Sequence, residues 1–149
     1  MRLRAMSLRD FTAYAEQLNE WIENIAEASQ GEFTGEDLVA AIEAKTHHPW
    51  AWTTDEDEFM GVVVTTFGKL GDEKLLSFIG AAGNCMDSWE EFTDLANTLA
   101  KQLNCKYLEM RGRRGLLRRF KDTGWTEAYT VVRRVVMPMA GLHPMAAGE

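Results

Sequence analysis

The sequence predicts an α+β fold, a mixed and mostly antiparallel sheet flanked by about four helices. Two patterns point there. Three stretches carry apolar side chains at helical spacing, and each opens on a hydroxyl residue three positions ahead of a carboxylate. Elsewhere the spacing shortens to two, and Val, Thr and aromatic residues take over. The predicted order is β-α-α-β-β-β-α-β-α-β.

A short strand leads into Ser7-x-x-Asp10, where a hydroxyl caps a free backbone N–H and a carboxylate meets the positive helix end. Phe11, Tyr14, Leu18, Trp21, Ile22 and Ile25 then keep i, i+3, i+4 spacing, which predicts one helix over Leu8–Ala28. Thr34-x-x-Asp37 opens a second helix with Leu38, Ala41 and Ile42 on one face, ended by His47-His48-Pro49. Trp50–Thr54 and Phe59–Phe67 read as a hairpin around the acidic turn Asp55-Glu56-Asp57-Glu58, a solvated tip toward which no further metal ligands converge. Lys69–Glu73 is a turn and Leu75–Ala82 the next strand. Ser88-x-x-Glu91 opens the third helix, Ser88–Gln102, striped by Trp89, Phe92, Leu95, Ala96 and Leu99. Tyr107–Met110 reads as a strand, Leu116–Thr123 as a short helix closed by Gly124, and Thr126–Met137 as a final β-branched strand.

At 149 residues, 46% hydrophobic and 26% charged, the chain has the composition of one globular domain, taken as residues 1–137 with an extended tail over 138–149. No apolar run approaches the roughly 18 residues of a membrane span, and the three Arg before Asp10 precede no apolar signal region. Cys85 and Cys105 form no CxxC pattern, so two free thiols and a cytoplasmic location are expected. The net charge of −7 divides unevenly. Residues 1–100 hold 6 cations and 19 anions, while residues 101–149 hold 10 cations and 4 anions. That asymmetry suits one basic face on an acidic protein rather than a general nucleic-acid binder.

Three segments stand in a telling order: Arg4-Ala5-Met6-Ser7-Leu8-Arg9-Asp10; Met60-Gly61-Val62-Val63-Val64; and Arg119-Phe120-Lys121-Asp122-Thr123-Gly124-Trp125, followed by Tyr129, Val131 and Val132. With them, the chain from Arg2 to about Val136 resembles the GNAT superfamily of N-acetyltransferases. The resemblance implies a GNAT fold and raises the question of acetyl transfer from acetyl-CoA. In that family a loop of the type R/Q-x-x-G-x-G/A before the third of the helices cradles the cofactor's pyrophosphate with backbone N–H groups. The matching stretch here, Gly80 to Ser88, has no basic residue and no G-x-G, and Asp87, Glu90 and Glu91 add carboxylates at that helix start. Many members also use a Tyr as the acid for the leaving thiolate; its place is taken by Phe120, which has no proton to give. As a base, Ser77 or Glu109 could be considered, although Glu109 reads as a solvent-facing strand residue or an Arg partner. His47 and His48 read as surface residues beside Pro49.

Two readings follow from the resemblance. The leading one is a GNAT-fold protein that has lost acetyl transfer and acts as a structural or partner-binding component, with no cofactor and no metal. GNAT-like domains without the cofactor loop resemble proteins of tailed bacteriophages and prophages, which implies a virion as one location. The alternative is an active N-acetyltransferase whose acetyl-CoA site is built from the backbone of Ala81, Ala82, Gly83 and Asn84. The partner-binding candidates come from two features. Arg111, Arg113, Arg114, Arg118 and Arg119 belong to a run of six cations in eleven residues, suited to a phosphate, a nucleic acid or an acidic protein surface. Met137, Met139, Leu142 and Met145 punctuate a tail with two Pro and two Gly, suited to adaptable apolar contact with a protein partner or a second copy.

Overall fold

A computed structural model describes residues 1–84, 89–111, 118, 120, 122–129 and 131–136, with the side chains of 89 and 90 excepted. Its elements run β1 (Arg2–Ala5), α1 (Leu8–Ala13), α2 (Ala15–Ala28), α3 (Gly35–Glu43), β2 (His48–Thr53), β3 (Phe59–Leu70), β4 (Glu73–Gly83), α4 (Trp89–Gln102) and β5 (Tyr107–Met110). The five strands form one sheet in the order β1-β2-β3-β4-β5. All neighbours are antiparallel except β4 and β5, which are parallel. The α+β class expected from the sequence is therefore the observed one.

Strand alternation in β3 creates a core on each face of the sheet. Val62 and Val64 point to one side, where Leu18, Trp21, Ile22 and Ile25 of α2 and Leu38 of α3 cover them. Val63 points to the other, joining Trp52, Leu76 and Phe78 beneath Phe92, Ala96 and Leu99 of α4. Trp52 lies 5.5 Å from Phe92 and Phe78 lies 5.4 Å from it, ring centre to ring centre, so α4 is seated by an aromatic cluster.

The single helix expected over Leu8–Ala28 is two. Tyr14, at φ −117° and ψ 26°, ends α1 and starts α2. Its ring leaves the helical path to stack on Phe59 at 4.5 Å, a tertiary contact that outweighs one turn of regular helix. The second helix stops at Glu43, and Lys45 (φ +62°) turns the chain so that His48 and Pro49 already belong to β2. The β3–β4 hairpin is longer than expected, closing on Gly71 and Asp72. Helix α4 is described from Trp89, and the expected cap at Ser88 lies outside the described residues, as does half of the helix expected over Leu116–Thr123.

The expected final strand over Thr126–Met137 is a correction. Its described residues take no place in the sheet, and Val131 to Val136 are exposed. The alternation explains this. Val131, Arg133 and Val135 would share one face and Val132, Arg134 and Val136 the other, so either face carries a cation that burial would desolvate.

Arg4 joins three elements. Its guanidinium donates to Asp10 at 2.7 and 3.0 Å and to Asp57 in the β2–β3 turn at 2.8 Å. Asp10 also accepts from the Ser7 backbone at 2.7 Å, completing the capping box of α1. The acidic turn is thus exposed yet paired, since Asp55 also meets the N-terminal ammonium of Met1 at 2.9 Å. Arg4, above all, holds the Asp10 carboxyl well below the usual carboxylate range, helped by Ser7 and opposed by burial. A lowered carboxylate pKa stabilises the fold fully above the unfolded value of about 4 and less as the pH falls toward the folded one. Asp10→Asn should therefore cost about 2 to 3 kcal/mol and lower Tm by about 5 to 10 °C at pH 7. Thermal melts from pH 7 to pH 2 should show the two proteins converging on the acid side.

Candidate functional site

The opening in this sheet lies where β4 and β5 part. Their ladder covers only Leu75 to Phe78 opposite Tyr107 to Met110. Beyond Phe78, β4 continues to Gly83 with β3 alone, among the described residues. The parting begins at a bulge. Val64 faces Gly80 and Thr65 faces Phe78, which leaves Ile79 without an opposite number on β3. Ile79 packs with the α2 core, and Gly80 turns to the same side. Ile79 of β4 and the end of β5 border a groove that also takes in Met110, Arg111, Thr93 and Phe120. A Gly inside an apolar strand is a bulge signal, so Gly80 was the residue from which the fork could have been read.

Ala81, Ala82 and Gly83 are a continuation of the sheet rather than a loop, and Asn84 follows directly on it. Val62 faces Ala82 and Gly61 faces Gly83. At Gly83, φ is +146°, and a Cβ would stand 2.4 Å from both Gly61 Cα and Met60 O. The Asn84 N–H donates to Met60 O at 2.8 Å. At Gly80, a Cβ would stand 2.4 Å from Ile25 Cγ2, so this glycine lets α2 approach the sheet. Both glycines of the stretch are thus required by packing. An acetyl-CoA pyrophosphate needs free N–H groups converging on it. In the described part of this stretch the Asn84 N–H is committed to β3 and is not one of such free groups. Cys85 to Ser88 lie outside the described residues.

The other expected chemistry is scattered. Phe120 is buried beside Trp125, ring centres 5.1 Å apart, and Trp125 Nε1 donates to Thr93 Oγ1 on α4 at 3.0 Å. Ser77 is buried opposite Glu109 of β5. Glu109 lies 3.8 Å from Arg111 Nε, the Arg partnership expected for it. His47 accepts or donates at Thr46 Oγ1, 3.2 Å away, and borders the groove; the His48 ring leans on Phe67. The Glu91 carboxylate at the start of α4 is turned toward the Met1 ammonium, 3.5 Å away, which offsets its charge. Burial pushes the Cys105 thiol up, and the thiol is free. Among the described residues, no group of His, Cys, Asp and Glu could hold a metal.

Of the partner-binding candidates, Arg111 sits exposed at the mouth of the fork and Arg118 is exposed. Arg113, Arg114, Arg119, Met137, Met139, Leu142 and Met145 lie outside the described residues. No described helix is long and apolar enough to cross a membrane.

No protein-family profile and no curated protein sequence matches this chain. Solved structures do match. A GNAT family acetyltransferase from Staphylococcus aureus superposes with a TM-score of 0.61 at 10% identity, over 91% of this chain and 100% of that one. The fold is the GNAT fold. A protein of Clostridium difficile described as a possible acetyltransferase reaches a TM-score of 0.65 at 10% identity, over 92% of this chain and 98% of that one. The ribosomal-protein-alanine N-acetyltransferase of Brucella melitensis reaches 0.61 at 10% identity, over 91% and 100%. At such identities the likeness is one of backbone, and chemistry has to be argued from side chains.

The two glycines separate a packing role from a ligand role. Gly83→Ala should destabilise the fold by more than about 3 kcal/mol, since both the φ and the contact with β3 oppose a side chain. Gly80→Ala should also be costly, since its Cβ would stand 2.4 Å from Ile25 Cγ2. Chemical denaturation of each variant, with no ligand added, is the measurement; a Gly83→Ala protein as stable as the parent would remove the packing account.

Proposed function

We propose that this GNAT-fold chain has lost acetyl transfer and serves as a partner-binding component of a larger assembly. The observation that carries the reading is the stretch Gly80 to Ser88, which has no basic residue and no G-x-G, with the Asn84 N–H already donated to Met60 O. Phe120 supports it as well. A buried phenyl ring at the place of the family's acid leaves the leaving thiolate without that proton source. The setting we infer is a virion, and its support is the resemblance to phage-encoded GNAT-like proteins alone.

A second reading has one observation in its favour. The β4 bulge at Ile79 opens a fork beside a groove that Ile79, Met110 and Phe120 help to line, and an N-acetyltransferase holding acetyl-CoA by a divergent loop would use that opening. Isothermal titration separates the two. The first reading expects acetyl-CoA to bind no more tightly than about 1 mM, or about −4 kcal/mol, and Phe120→Tyr to create no transferase activity. Micromolar affinity would favour the enzyme.

The basic segment gives the partner reading its own test. Changing Arg113, Arg114, Arg118 and Arg119 together to Ser should leave the melting temperature within about 2 °C of the parent while weakening a salt-sensitive association with an acidic surface or phosphate backbone. Pull-down across a salt series reads it, and association indifferent to both salt and substitution would assign the segment to structure.

A further inference from the structure

Residues 131–136 read Val-Val-Arg-Arg-Val-Val, the same in both directions. Four β-branched side chains in six residues are strongly strand-forming, yet they are left in solvent: Val131 is 68% exposed, Val132 90%, Val135 79% and Val136 90%. A patch of this kind calls for a partner. The palindrome suggests which. Antiparallel pairing about a two-fold axis between Arg133 and Arg134 would set Val131 opposite Val136 of a second copy and Val132 opposite its Val135, giving four Val–Val pairs. It would also face Arg133 with Arg134, a repulsion that the fold has partly met in advance. Arg133 Nη1 donates to Gln30 O at 2.7 Å and Nη2 lies 3.6 Å from Glu32 Oε1, so one cation of each facing pair carries its own counter-charge.

The edge of β5 within the same chain suits the segment less well. That strand is four residues long, its one acid, Glu109, already adjoins Arg111, and Arg133 is tied to the α2–α3 connection. We propose that Val131–Val136 is the seam of a homodimer, formed by antiparallel pairing of the segment with its counterpart in a second copy. The inference deepens the partner-binding reading by naming one partner, but its test does not involve the cofactor. A chain that dimerises and binds acetyl-CoA overturns that reading alone, and a monomer that ignores acetyl-CoA overturns this one alone. A six-residue seam falls short of the roughly 800 Å² per partner of a stable interface, so dissociation on the order of 10 µM is expected.

Sedimentation velocity of the full chain from about 1 to about 200 µM should show a monomer passing to a dimer. V132K/V135K places cations on exposed positions, so it should keep the parent's melting temperature and raise the dissociation constant at least about 10-fold. Register is read by single cysteines in a Cys85→Ser, Cys105→Ser background. Val132→Cys mixed with Val135→Cys should cross-link on mild oxidation, and Val132→Cys alone should do so far more slowly. A chain monomeric throughout, a dimer indifferent to the lysines, or equal cross-linking in the two cysteine experiments would each overturn the seam.

Discussion

The close approach of β3 and β4 at Gly61 and Gly83 is the constraint on which most of this structure turns. Two glycines face each other there, and the missing side chain of Gly83 allows the strands to remain paired to the last residue of β4. Because the ladder persists, the Asn84 N–H finishes on Met60. Because Ile79 is extra on the β4 side, the same strand can stay in step with β3 while leaving β5 after Phe78. The fork and the absence of a free amide at Asn84 are therefore two results of one arrangement.

Charge arranges the opposite edge of the sheet. Arg4 on β1 holds Asp10 of α1 and Asp57 of the β2–β3 turn, and the Met1 ammonium lies between Asp55 and Glu91 of α4. Carboxylates of α1, α4 and the β2–β3 turn thus converge on the cations of β1 and the residue just before it. This compensates part of the excess acid in the first hundred residues. It also gives the Arg4-to-Asp10 spacing, which contributed to the family resemblance, a physical meaning: a two-pronged ion pair that fastens α1 to the sheet.

What could be read from residues alone was what short-range physics decides. The capping boxes at Ser7 and Thr34 and the stripes of α2 and α4 are local, and they are present where the spacing put them. The class of fold followed from them and from the valines of β3. The break at Tyr14 was not legible, because it depends on Phe59, forty-five positions away. The final strand was misread for a related reason. Residue preference favours a strand at 131–136, whereas packing a strand onto the core of this sheet also needs one face free of charge. At the candidate site, the lack of a G-x-G pattern was plain in the sequence, but the bulge at Ile79 and the packing duties of Gly80 and Gly83 needed the neighbouring strand and helix to be in place.

The two cores have a consequence for how the molecule comes apart. They share only the sheet between them, and β2, β3 and β4 are joined by short turns, whereas β5 follows β4 only after 23 intervening residues. Loop closure makes the meander the early and tightly coupled unit, and α4 with β5 the late and separable one. Indole side chains report on each side independently: Trp21 lies beside Phe59 in one core, while Trp52 and Trp125 lie in the other. Amide exchange would then protect the centre of β3 longest and release the layer under Trp125 first, a partition of the domain into cooperative units along its own sheet.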